Sequence, residues 1–110
     1  MGVRTLRPEF VSPVAIREVV AGLGVSGETG SIFTTGVCLD SRLVRPGDIY
    51  VALPGFHAHG AVFSMQAVEQ GAVAVLTDPD GARIAEEAGV PVLVSERLRP
   101  TMAEVSARVY

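Results

Sequence analysis

The sequence predicts an α/β fold, a small mixed β-sheet flanked by helices. Two patterns and one bulk property carry that reading. In the second half, short apolar runs alternate with stretches whose apolar residues recur at helical spacing, the signature of layered strands and helices. The segment 32–53 instead offers two shorter strand-like runs joined through a turn, which suggests a mixed sheet. With 48% hydrophobic and 19% charged residues over 110 positions, the chain has material for one globular core.

The elements follow in order. Ser12-Pro13 reads as an N-cap and first helical residue. Val14, Ile16, Val19, Val20 and Leu23 follow at helical spacing, and Gly22 and Gly24 end the helix. Residues 27–30 are polar and glycine-bearing, hence a loop, and 32–39 are β-branched enough for a strand. Arg45-Pro46-Gly47-Asp48 has the proline and glycine of a tight turn, and 49–53 reads as a buried strand. That turn brings Asp40-Ser41-Arg42 close to the second strand. After Gly60, residues Val62, Phe63, Met65, Ala67 and Val68 give a helical face that stops at Gly71, and 72–76 forms a buried strand. Asp78-Pro79-Asp80-Gly81 initiates a helix over 82–88 that Gly89 ends. A strand over 91–94 follows, and a last helix opens at Pro100. The spacing of Met102, Val105 and Val109 is still helical at Tyr110, so the reading expects a longer natural chain.

Composition excludes several functions. The longest apolar runs fall well short of the ~18 residues a membrane span needs, and no apolar stretch follows Arg4 and Arg7 before Pro8 as a secretory signal requires. A soluble protein is expected, with no membrane partner. The net charge of -3 lacks a nucleic-acid footprint. The lone cysteine, Cys38, forbids an intramolecular disulfide and fits the reducing cytoplasm. All nine basic residues are arginines, which removes Schiff-base chemistry and the phosphate-binding lysine of a P-loop.

Two loops are candidate sites. Residues 54–60 leave a strand and feed a helix, so their amides and the helix start are able to meet a phosphate or polar ring. Without a G-x-G-x-x-G pattern, an ordinary strand-to-helix connection is the favoured reading on spacing alone. Asp40-Ser41-Arg42 offers a hydroxyl, a carboxylate and a guanidinium; it is equally well a polar turn satisfying its own amides. A hydrolase triad from Ser41, Asp40 and a histidine is disfavoured, since neighbouring side chains diverge and no G-x-S-x-G elbow is present. His57-Ala58-His59 lacks a clear third metal ligand, so both histidines read as surface loop residues. Cys38 reads as a small packed hydrophobe.

Taken together, Thr35-Gly36-Val37, Leu39-Asp40-Ser41-Arg42, residues 44–55, His59-Gly60, Gln66-Ala67-Val68 and residues 71–76 resemble the N-terminal domain of Mur ligases of the MurE type. The similarity runs from about Arg7 through 91–94 to Val109-Tyr110, and the lysine-free, Ala/Val/Arg-rich composition is similar to actinobacterial members. The MurF branch shares the Asp-Ser-Arg and Pro-Gly-Asp pattern and is the second choice.

The resemblance implies a Mur ligase N-terminal type of fold, with residues 1–11 an extension and 12–110 a single domain. It implies binding of the uridine end of UDP-MurNAc-L-Ala-D-Glu in peptidoglycan biosynthesis. The parent enzyme uses ATP to activate the dipeptide carboxylate as an acyl phosphate, which the amine of diaminopimelate or lysine attacks. ATP and magnesium belong to central and C-terminal domains outside this chain, which alone has no cofactor and is not expected to catalyse ligation. Motif by motif, the resemblance puts Leu39 and Ser41 at the nucleoside, with Phe56, His57 and Ala58 in the following loop. Uracil's one N–H donor and two carbonyl acceptors suit a serine hydroxyl and loop backbone groups. His59 receives no role, and Arg42 braces its loop. The competing class is a non-catalytic protein-interaction module.

Overall fold

The computed structural model describes residues 11–110. The extension expected at 1–11 therefore lies almost wholly outside the described residues. Four strands, β3 (Gly36–Cys38), β4 (Asp48–Ala52), β5 (Ala74–Thr77) and β6 (Val92–Val94), form one sheet in sequence order, parallel throughout. A separate antiparallel ribbon pairs β1 (Val14–Ala15) with β2 (Phe33–Thr34). The expected mixture of strand directions is thus present, divided between the ribbon and the sheet.

Alternation along the central strands builds the two cores. Ile49 and Val51 of β4 face one side with Ala74 and Leu76 of β5; they pack with Ile16 and Val19 of α1 (Ile16–Val19) and Val105 and Val109 of α4 (Leu98–Val109). Tyr50, Ala52 and Val75 face the other side, toward Ala67 of α2 (Ser64–Glu69) and Ala85 of α3 (Pro79–Ala85). That second core is rich in alanine, which lets α2 and α3 approach the sheet closely. Both faces of β4 and β5 are covered, which explains why their sequences read as continuous apolar runs.

Several expectations are corrected. The first helix does not start at Ser12-Pro13. Val14 pairs with Thr34 and Ala15 with Phe33, and the Ile16 amide donates to the Ile32 carbonyl at 2.9 Å. Only four residues remain helical, because the ribbon claims the β-branched start of the segment. The strand expected over 32–39 is two strands, broken at Thr35. The Thr35 amide donates to the Gly47 carbonyl at 3.0 Å and the Thr34 hydroxyl reaches the same carbonyl at 2.8 Å, so the chain crosses from ribbon to sheet there. The helix after Gly60 begins with a 3-10 turn over Gly60–Phe63 before α2. The helix after Asp78 starts at Pro79, earlier than expected, and α4 starts at Leu98, two residues before Pro100.

The turn at 45–48 is as expected. The Asp48 amide donates to the Arg45 carbonyl at 3.1 Å, Gly47 takes φ +95°, and the Asp48 carboxylate accepts from the Arg45 amide at 2.8 Å. Among the described residues, no helix is long and apolar enough to cross a membrane.

Candidate functional site

The site is built where β3 and β4 end. These neighbouring parallel strands pair Cys38 with Tyr50, and both chains leave the sheet at the same edge. The carboxyl ends of parallel strands are the usual ligand side of an open α/β sheet. The loop after β3 and the loop after β4 face each other across a cleft of about 610 Å³, closed on a third side by α2. Its lining includes Leu39, Ser41, Tyr50, Ala58, Phe63 and Gln66.

The β3 loop is a self-braced turn. The Leu43 amide donates to the Asp40 carbonyl at 2.9 Å, and Asp40 Oδ1 accepts from the Arg42 amide at 2.9 Å. The Arg42 guanidinium folds back onto the same carboxylate, Nε to Oδ1 at 3.0 Å and Nη2 to Oδ2 at 2.9 Å. These Arg42 hydrogen bonds and its positive charge hold the Asp40 carboxyl down at about 2. Arg42 braces its loop, as expected, and the turn presents Ser41 inward. Ser41 is buried, and its hydroxyl donates to Gln66 Oε1 at 2.8 Å. One helical turn on, Gln70 Nε2 donates to the Arg42 carbonyl at 3.4 Å. Gln66 on α2 and Gln70 at its C-cap, spaced i and i+4, therefore grip this loop.

The β4 loop is pinched at its base. The Gly60 amide donates to the Leu53 carbonyl at 2.8 Å, and the Tyr50 hydroxyl donates to the Gly60 carbonyl at 2.8 Å. Burial, helped by the Asp40 charge, pushes the Tyr50 phenol up, so it stays a donor. Glycine suits position 60, because a Cβ there would meet the Leu53 backbone nitrogen and oxygen at 3.0 Å, tighter than ordinary packing allows without a shift.

His59 is the residue that sequence reasoning missed. Its side chain is only 13% exposed, against the expectation of a surface loop histidine. Nδ1 accepts from the Ala61 amide at 3.0 Å, capping the 3-10 turn, so Nε2 carries the proton and donates to Asp78 Oδ1 at 2.8 Å. Asp78 in turn caps α3 by accepting from the Gly81 amide at 2.9 Å. Partial burial works against ionising Asp78, but the His59 and Gly81 hydrogen bonds prevail and hold its carboxyl below its ordinary value. The signal was present in His59-Gly60 and Asp78-Pro79, each a cap followed by a helix start, yet nothing in one dimension joins them.

Of the five residues assigned to the nucleoside, Leu39, Ser41 and Ala58 line the cleft. Phe56 and His57 lie on the exposed tip of the β4 loop, their rings 6.3 Å apart, outside that lining. Tyr50, Phe63 and Gln66 join the lining without having been assigned a role. Ser41, Asp40 and His59 bond to Gln66, Arg42 and Asp78 respectively, three separate pairs rather than a triad. Cys38 packs against the second core, and its thiol reaches the Asp40 carbonyl at 3.3 Å. Among the described residues, no three His, Cys, Asp or Glu side chains are grouped to hold a metal ion.

The chain is similar to known proteins in both sequence and fold. The profile described as "Mur ligase family, catalytic domain" matches residues 34–110. A UDP-N-acetylmuramoyl-L-alanyl-D-glutamate–2,6-diaminopimelate ligase from Streptomyces coelicolor is 49% identical over 104 residues, 94% of this chain and 21% of the relative. A UDP-N-acetylmuramyl-tripeptide synthetase from Leifsonia xyli is 44% identical over 107 residues, 96% of this chain and 21% of the relative. The chain thus spans about a fifth of the length of these curated relatives. The crystal structure of MurF from Acinetobacter baumannii shares the fold with a TM-score of 0.68 at 18% identity, over 86% of this chain and 20% of that one. The actinobacterial MurE-type resemblance holds in these sequences, and with the profile match over residues 34–110 they show that the chain belongs to the Mur ligase family.

Proposed function

We propose that residues 12–110 form a recognition domain for the uridine end of UDP-MurNAc-L-Ala-D-Glu, belonging to a cytoplasmic ATP-dependent ligase that adds the third peptide residue. The observation that carries this reading is the cleft between the loops after β3 and β4, whose lining includes Leu39, Ser41 and Ala58 of the family motifs. Its chemistry suits a pyrimidine nucleoside: Leu39 and Phe63 supply apolar surface for a ring, and Ser41 and the loop backbone supply polar groups. Support also comes from the relatives' names, which describe ligases acting on UDP-N-acetylmuramoyl-L-alanyl-D-glutamate.

The ligation chemistry belongs to the remainder of such an enzyme. This chain has no lysine for a P-loop, and its described residues offer no metal-holding group. Its own contribution is binding and orientation. By fixing the nucleotide end it confines the distant carboxylate to the volume where activation takes place, trading binding energy for orientation.

Isothermal titration of the chain with UDP-MurNAc-L-Ala-D-Glu, with UMP and AMP as controls, tests the reading. Binding of both uridine compounds is expected, with AMP excluded. Ser41→Ala is expected to weaken the uridine compounds about tenfold, the worth of one buried hydrogen bond. Equal affinity for UMP and AMP contradicts the reading. Concentration-dependent self-association by light scattering, without any nucleotide response, points instead to an interaction module.

A further inference from the structure

Ser41 has one proton, and the structure spends it. A serine hydroxyl holds a single donor and two lone pairs. Here the hydroxyl lies 2.8 Å from Gln66 Oε1, which accepts the proton. The side chain is 7% exposed and its backbone is fixed in the Asp40–Leu43 turn, so its oxygen keeps one orientation beside the cleft. α2 is held against this loop independently through Gln70 and the Arg42 carbonyl. Gln66 is therefore presented from a clamped helix rather than from a free surface position.

We propose that Gln66 is a specificity-determining residue: by taking the Ser41 proton it leaves the Ser41 oxygen as a pure acceptor, which selects a ring N–H over a ring nitrogen lone pair. This rests on the reading that the cleft holds a uridine end, and it deepens that reading. Uracil presents N3–H, a donor that the Ser41 lone pairs can take. Cytosine presents an unprotonated N3, so two acceptors would face each other, an arrangement a hydrogen-bonding site rejects strongly. Without Gln66 the hydroxyl is free to rotate and donate to cytosine N3, and discrimination at this position is lost. Gln66 acts through Ser41, so it is a positioning residue for base choice.

The experiment is a pair of NMR titrations, UMP and CMP, followed on the amides of the full chain and read as the ratio of dissociation constants. Both ligands carry the same phosphate and ribose, so charge and sugar effects cancel in the ratio. The parent chain is expected to prefer UMP by at least about tenfold. Gln66→Leu removes the acceptor and is expected to cut that preference about fivefold, chiefly by improving CMP binding. Gln66→Glu keeps an acceptor in place and is expected to retain the preference. Gln66 is an exposed helix position, so all three chains are expected to fold.

An unchanged ratio in Gln66→Leu, with UMP still bound, overturns the assignment of Gln66 and leaves the uridine reading standing. Loss of the preference in Gln66→Glu, which still accepts the Ser41 proton, overturns the assignment as well, because base choice would then not follow from where that proton goes. Failure of the parent to bind UMP overturns the uridine reading, and this inference with it.

Discussion

His59 shows how much a single side chain holds in this protein. One ring joins two helix starts, accepting from the Ala61 amide and donating to the Asp78 carboxylate that caps α3. His59→Ala removes a cap and a charge-assisted hydrogen bond together, and is expected to lower the unfolding free energy by about 1–3 kcal/mol in urea. Gly81 makes a sharper test. A glycine-to-alanine change inside a helix ordinarily stabilises by up to ~1 kcal/mol. Here the added Cβ would collide with the Thr77 hydroxyl and the His59 ring, so Gly81→Ala is expected to destabilise by about 1–3 kcal/mol instead. Acid tests the same cluster from the other side. The folded Asp78 carboxyl lies below its ordinary value of 3.8, so its contribution is complete above that value and is lost as pH falls toward the folded one. Asp78→Asn, which keeps an acceptor for Gly81, is expected to flatten the acid limb of a stability-versus-pH curve; an unchanged limb would show that the carboxylate contributes little.

At the scale of elements, local pattern and long-range pairing contributed differently to what was legible. β4, β5 and β6 were readable because short apolar runs between turn residues leave few alternatives. The turn at Pro46-Gly47 and the cap at Asp78-Pro79 were readable because their chemistry is local. The first helix was misread because Ser12-Pro13 is an equally good local start for a strand, and only pairing with Phe33-Thr34, some twenty residues away, decides between them. The break at Thr35 has no local signal for the same reason, since its partner is the Gly47 carbonyl. Along the cleft, Leu39, Ser41 and Ala58 stand out by motif, whereas the contacts of Gln66 and His59 exist only after folding. The last helix contributes contacts of this kind too. Arg108 Nη1 donates to the Ala21 carbonyl at 2.7 Å and the Val19 carbonyl at 3.2 Å, satisfying groups at the end of the four-residue α1. The Tyr110 hydroxyl accepts from the Val37 amide at 2.9 Å on the edge strand. Tyr110→Phe is expected to cost about 1 kcal/mol and to speed exchange of the Val37 amide hydrogen, with amides of β5 little changed.

For the whole molecule, the two faces of the sheet have different tasks. α1 and α4 close the face built on Ile49, Val51, Ala74 and Leu76, and α2 and α3 close the face built on Tyr50, Ala52 and Val75. The carboxyl ends of β3 and β4 open into the cleft, where a rigid sheet edge supports two loops, each held by its own hydrogen bonds. That division predicts where a ligand will be felt. The most direct measurement is an amide chemical-shift map of the chain titrated with UMP into the millimolar range. The largest shifts are expected at 39–42, 53–60 and Gln66, with α1 and α4 silent; shifts centred on α1 or α4, or no response at all, would contradict the claim that the cleft holds a uridine end.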